Sequence, residues 1–303
     1  MGELTPETMQ LIMGVVIAAC AGAIIYIVAY PYLSGELKAE KRIQGVSENK
    51  AARTARRAKD EEVNNRRRQV ADTLGRRGVA VLRMDDRGIN GSGGDLVKAT
   101  SADFADDIRA GIAYLRTRPE IDGGRIGLIG HSEGGMIGPM VAASDPKVKA
   151  VVLMAGPAYT GQKIIDFQLR NLVENNTEIP ADKKDSILAA AKVPFGKEAN
   201  AWTKYFLTYD PIATLKKVKQ PVLIMQGGTD QQITPEQAPI IERTLKGAGN
   251  NDVTLKLFPD RNHLFLKDPI GFPSDYVKLK NGKIDAEVMG TLAEWVVAKL
   301  AAK

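Results

Sequence analysis

The sequence is poor in the side chains that crowd metal and redox sites. Among 303 residues there is one cysteine, Cys20, and two histidines, His131 and His263. A single thiol excludes a disulfide framework and any cysteine-based metal site within one chain. Two histidines leave few ways to assign a catalytic base. Internal repeats are absent. A widespread basic surface is absent too: the formal net charge is +6, but eleven Lys/Arg face six Asp/Glu between Glu36 and Val70, and the remainder is nearly balanced. A nucleic-acid groove is therefore not implied, and no nucleic-acid partner is expected. The 44% of hydrophobic residues suffices for the core of one large domain, or of one medium domain with an appendage.

One long apolar run is present. Residues 9–30 read MQLIMGVVIAACAGAIIYIVAY, with Gln10 as the only strongly polar member. As a helix this run spans about 33 Å, enough for a bilayer core. A buried helix rarely stays apolar on every face for so long. A cleaved signal peptide would want a basic start, whereas Glu3 and Glu7 precede the run. The expectation is a retained, single-pass transmembrane helix within an N-terminal segment 1–33. Lys38, Lys41, Arg42 and Lys50 follow it closely and no Lys or Arg precedes it. That asymmetry predicts a protein of the inner (cell) membrane whose remainder lies in the cytoplasm. Residues 34–70 read as a basic linker, helical or disordered, that either touches anionic lipid or presents a solvated charged face.

From Val79 the texture changes. Strands are predicted at Val79–Met84, Arg125–Gly130, Val148–Met154, Pro221–Gln226 and Val253–Phe258. Helices are predicted between them, with an apolar stripe of Phe104, Ile108, Ile112 and Leu115 in one and of Ile284, Val288, Leu292 and Val296 in the last. The helical stretch between the third and fourth strands, about 160–212, reads as an inserted cap. Alternation of strand and helix predicts an α/β fold with a mostly parallel sheet of about five strands, covered on both faces.

Gly130-His131-Ser132-Glu133-Gly134 fits G-x-S-x-G and stands between a predicted strand and a predicted helix. Glycines let the backbone pass closely at a sharp turn while the serine projects from the strand end. The Glu133 backbone N–H, at the helix start, would point at a developing oxyanion. A serine hydroxyl needs a base to take its proton. His263 follows the last strand and Asp230 follows the fourth, where a carboxylate can fix the imidazole tautomer. All three candidates, Ser132, Asp230 and His263, fall at C-terminal strand ends, where open α/β sheets bind ligands. His131 is expected to pack against the sheet, and Asp85-Asp86-Arg87-Gly88 to brace a loop by ion pairing. Gly91-Ser92-Gly93-Gly94 lacks the Lys-Ser/Thr of a phosphate loop. Trp202, Tyr205 and Phe206 are expected to pack within the cap rather than line an acyl pocket. No metal ligands are assigned.

Residues 71–303 resemble the α/β-hydrolase superfamily, in its esterase and dienelactone-hydrolase-like branch related to S9 peptidases. The resemblance rests on Asp85–Gly88 with Gly91–Gly93, Gly130–Gly135, Gly227–Asp230 and Asn262-His263. It implies hydrolysis of a small-molecule acyl ester through a serine acyl-enzyme, without a cofactor. Residues 1–70 resemble the N-terminus of TadB-like pilus-assembly proteins, the type II secretion F family, through Gly2–Glu7, Tyr30–Gly35 and the arginine-rich stretch to Val70. That implies secretion or pilus-assembly partners. Set against the hydrolase pattern, Val79–Met84 corresponds to the fourth strand. The first three strands, and the loop that supplies a second oxyanion donor, have no counterpart. Loss of one such donor costs about 10²–10³ in rate. Val79–Met84 is then expected to pair directly with Arg125–Gly130 or to leave its ladder groups unsatisfied. Three readings stay open: an anchored esterase-like hydrolase, a catalytically impaired fusion of a secretion leader to a truncated hydrolase, and a membrane-anchored assembly or interaction component.

Overall fold

A computed structural model of the protein describes residues 64–89, 91–177, 179–192, 199–279 and 282–301. The apolar run at 9–30, and nearly all of the basic stretch and the leader resemblance, lie outside the described residues. Among the described residues no helix is long and apolar enough to cross a membrane.

The described chain begins in helix α1, residues 64–75. It continues through α2 (Ser101–Thr117), β1 (Gly127–His131), α3 (Gly134–Ala142) and β2 (Ala150–Met154). Among the described residues four α-helices follow: α4 (Gly161–Asn175), α5 (Lys184–Lys192), α6 (Ala201–Thr208) and α7 (Pro211–Leu215). The chain then returns through β3 (Val222–Gly227), α8 (Gln237–Gly247), β4 (Val253–Phe258) and α9 (Ala286–Ala301). Helix starts follow local chemistry. Thr100 and Asp103 form a reciprocal capping box on α2, and the Asn200 side chain accepts from the Thr203 N–H at the start of α6.

Among the described residues the sheet has four parallel strands in the order β1-β2-β3-β4. Period-two alternation divides its side chains between two cores. Val151, Leu153, Val222 and Ile224 face a layer with Ile112, Val141, Ile241 and Leu245. Val152, Met154, Leu223 and Met225 face the opposite layer, with Leu74, Val288, Leu292 and Val296. Helix α1 thus belongs to the body. Its Gln69 side chain donates to the Ile284 carbonyl at 2.8 Å and accepts from the Ile284 N–H at 2.9 Å. A third cluster holds the cap together, including Ile164, Leu169, Trp202 and Phe206.

The expected fifth strand is not formed. Among the described residues Val79–Met84 joins no ladder, and β1 pairs only with β2. The segment is held by its ends and its side chains instead. The Val79 N–H caps α1 by donating to the Leu74 carbonyl at 3.1 Å, and Leu82 and Met84 pack on Gly111 of α2. Beyond them Arg87 grips Asp107 through Nε (2.9 Å) and a second guanidinium nitrogen (2.7 Å), and also reaches the Asp103 carbonyl at 2.7 Å. Arg87 therefore braces the loop by ion pairing, as expected from its sequence.

Candidate active site

The strand registers set the site. β3 and β4 pair from Val222↔Val253 to Gly227↔Phe258, so their following loops depart at the same level. Those loops fit tightly. A Cβ on Gly227 would lie 2.3 Å from the Arg261 carbonyl oxygen, so the neighbouring backbone leaves room only for glycine. The Gly228 N–H donates to the Phe258 carbonyl at 2.8 Å and the Thr229 N–H to the Arg261 carbonyl at 3.1 Å. This zipper brings Asp230 and His263 together although they are 33 residues apart. His263 Nδ1 lies 2.9 Å from Asp230 Oδ2, with the Asp230 side chain fully buried and that of His263 4% exposed.

Asp230 is well supplied with donors. Its Oδ1 accepts from the Gln232 N–H at 2.8 Å and the Ile233 N–H at 3.0 Å, and its Oδ2 accepts from the Gln226 side chain at 3.1 Å. Because the carboxylate faces donors on every side, the His263 contact is read as Nδ1–H donating, which leaves Nε2 with its lone pair. The His263 loop is wrapped on buried Asn262. Its Oδ1 accepts from the Leu264 N–H (2.9 Å) and the Leu266 N–H (3.1 Å), while its amide nitrogen donates to Asp268 at 3.1 Å. Tyr276 packs nearby. Burial raises its phenol pKa well above the ordinary value, and the Asp230 charge adds to the effect.

Ser132 follows the last residue of β1 with φ of 56°, a left-handed conformation for a residue with a Cβ. Its N–H donates to the Met154 carbonyl at 2.9 Å, and the Gly135 N–H donates to its carbonyl at 2.8 Å. The turn is so sharp that a Cβ on Gly130 would sit 1.9 Å from the Gly134 carbonyl oxygen. The neighbouring His131 ties this turn to the base. Its Nε2 lies 2.7 Å from the His263 carbonyl oxygen, so that nitrogen carries the proton. The two imidazoles are 4.7 Å apart, centroid to centroid. His131 was expected to pack against the sheet; as the last residue of β1 it sits edge-on to the core residue Phe265, and it also lies against the candidate base.

Glu133 heads α3, so its backbone N–H is one of the unpaired groups of a helix start. Its side chain was not singled out by sequence. Oε1 accepts from the Ser101 hydroxyl at 2.6 Å and from the Trp202 indole N–H at 2.8 Å. Burial pushes the carboxyl above its usual range, against the effect of these two donors, and Asp86 raises it further. Trp202 stacks on Phe206 with centroids 5.0 Å apart and Tyr205 stacks on Tyr209 at 5.6 Å, but Trp202 and Phe206 also pack in a cluster with Ala99, Phe104 and Met136 from outside the 160–212 stretch. No group of side chains able to hold a metal ion occurs among the described residues.

A parallel sheet, a strained serine turn at one strand end and an Asp–His pair at two others define the α/β-hydrolase architecture. The family model of the prolyl oligopeptidase family matches residues 65–276, and the chain belongs to that family. The expected kinship with S9 peptidases therefore holds. Among curated proteins, Esterase EstD of Thermotoga maritima is 26% identical over 238 residues, covering 76% of this chain and 56% of that protein. The acylamino-acid-releasing enzyme of Rattus norvegicus is 25% identical over 194 residues, covering 61% of this chain and 24% of its own length. The chain thus spans about half or less of these two relatives. Among solved structures, a Pyrococcus furiosus esterase superposes with a TM-score of 0.53 at 18% identity, covering 77% of this chain and 75% of that one. Est1E of Butyrivibrio proteoclasticus, solved with ferulic acid, gives 0.51 at 19% identity, covering 77% and 82%. At these identities the solved structures speak to the fold alone.

Proposed function

We propose that the chain is a serine hydrolase acting on carboxylic esters or related acyl substrates through an acyl-enzyme, with no cofactor. The observation that carries this reading is the buried Asp230–His263 pair at 2.9 Å, tied through His131 to the turn that holds Ser132 at positive φ. In this reading Ser132 Oγ attacks the acyl carbonyl carbon and gives its proton to His263 Nε2. Asp230 accepts the Nδ1–H bond and so holds the tautomer that leaves Nε2 free. The Glu133 N–H donates to the oxyanion at the start of α3. Collapse of the tetrahedral intermediate breaks the acyl–oxygen bond of the ester, and the imidazolium protonates the departing alcohol. Water, activated by the same imidazole, then cleaves the acyl-enzyme and restores Ser132. The esterase name of the Thermotoga maritima relative supports an ester substrate, while the rat acylamino-acid-releasing enzyme keeps other acyl substrates within the same class.

One observation favours a second reading, that of a catalytically impaired hydrolase. Among the described residues Val79–Met84 joins no ladder, so no fifth strand flanks β1. A fluorophosphonate serine probe separates the two readings. The expected result is labelling of the purified chain that vanishes in Ser132→Ala. A folded sample that takes no label would leave the architecture without the activity.

A further inference from the structure

The nucleophile turn, the N-terminus of α2 and the cap meet at a single carboxylate. Ser101 opens α2, Trp202 lies in α6 of the cap, and Glu133 directly follows Ser132. These residues come from three separate elements, 32 and 69 positions apart in sequence, yet both donors converge on Glu133 Oε1. Trp202 is only 6% exposed and Ser101 not at all, so neither donor has ready access to water as a substitute partner. α6 is in turn fixed against α4. A Cβ on Gly161 would lie 2.4 Å from the Phe206 ring and the same distance from the Phe206 carbonyl oxygen. A shift of the cap at Trp202 therefore strains or breaks a bond to the side chain of the residue that directly follows Ser132.

We infer that Glu133 is a positioning residue, whose carboxylate latches the cap helix α6 to the nucleophile turn and so couples the placement of the cap to the oxyanion N–H. The inference rests on the serine-hydrolase reading of Ser132. It adds a specificity function: a substrate bulky enough to displace Trp202 also displaces the oxyanion donor, so the latch selects acyl groups that fit under an unmoved cap. Both latch bonds need only an acceptor oxygen, and a glutamine amide provides one. Glutamine should therefore rescue what alanine loses.

The test uses the full chain with Trp295→Phe, which leaves Trp202 as the only tryptophan. Two quantities are read: the emission maximum of Trp202 and the rate of fluorophosphonate labelling. Glu133→Ala should shift the emission to longer wavelength and slow labelling about 10–100-fold. Glu133→Gln should recover most of both. If Glu133→Ala fails to fold, Trp202→Phe removes the indole N–H while keeping an aromatic stack, and should slow labelling about 3–10-fold. Unchanged emission in Glu133→Ala, or unchanged labelling in either Glu133→Ala or Trp202→Phe, overturns the inference. So does a glutamine variant as slow as the alanine one. Failure of the underlying reading looks different: the unsubstituted chain would take no label, while Trp202 emission would still report whether the latch exists.

Discussion

Ser132 carries a backbone conformation that costs about 1–2 kcal/mol for any residue with a Cβ. Nothing in its side chain requires that conformation. The turn imposes it, through the Met154 carbonyl behind the serine and the tight passage at Gly130. Strain of this kind belongs with function only if relieving it helps stability without helping chemistry. Ser132→Gly removes the Cβ conflict, whereas Ser132→Ala keeps it, and neither variant has a nucleophile. Urea unfolding should find the glycine variant more stable than the alanine variant by about 1 kcal/mol, after allowance for the greater freedom of glycine in the unfolded chain. An alanine variant of equal or greater stability would mean that the turn is relaxed in solution. The motif around Ser132 was readable because its spacing is local. The second role of Glu133 was not, because Ser101 and Trp202 reach it only after the chain has folded. The same holds for Gln226 and its bond to Asp230, since a glutamine ending a buried strand gives no signal in the sequence.

Among the elements, those with their own internal period were the easiest to read. β4 was expected at Val253–Phe258 and is found there, and the other three ladder strands differ from expectation by one or two residues at their ends. The helical reading of 160–212 also holds, and Val288, Leu292 and Val296 of the expected stripe lie on α9, with Ile284 just ahead of its start, because an apolar face repeated every three to four residues needs no distant partner to be seen. Val79–Met84 shows the limit of that logic. Its apolar residues suit a strand, but a strand is made by its neighbour, and the alternation does not say whether a neighbour will pair. The end anchors at Leu74 and Arg87 fix where the segment runs, and no ladder forms along it. Amide hydrogen exchange distinguishes the two states. The Ala80–Met84 amides should exchange far faster than those of Val151–Leu153, which lie in the interior of the sheet. Protection of Ala80–Met84 equal to that of β2 would mean that the segment does add to the sheet in solution.

For the whole molecule, the question is what closes the second face of the sheet. One face is covered by helices on both sides of β1 in sequence, α2 and α3, together with α8. The other depends on two elements from the extremes of the described chain, α1 and α9, which meet over Val152, Met154, Leu223 and Met225. The basic composition up to Val70 gave no sign of this, since the residues of α1 that matter are few: Val70, Leu74 and the amide of Gln69. Leu74 is 1% exposed and shares its cluster with Val288 and Leu292, so truncating it opens a cavity between α1, α9 and the sheet. Leu74→Ala should destabilise the protein by about 2–5 kcal/mol, seen as a lower midpoint in denaturant. Leu74 supplies no group to Ser132, Asp230 or His263, so probe labelling under conditions where the variant stays folded should change little. A Leu74→Ala chain as stable as the original would mean that α1 rests on the sheet without closing it, and that the second core is completed by α9 alone.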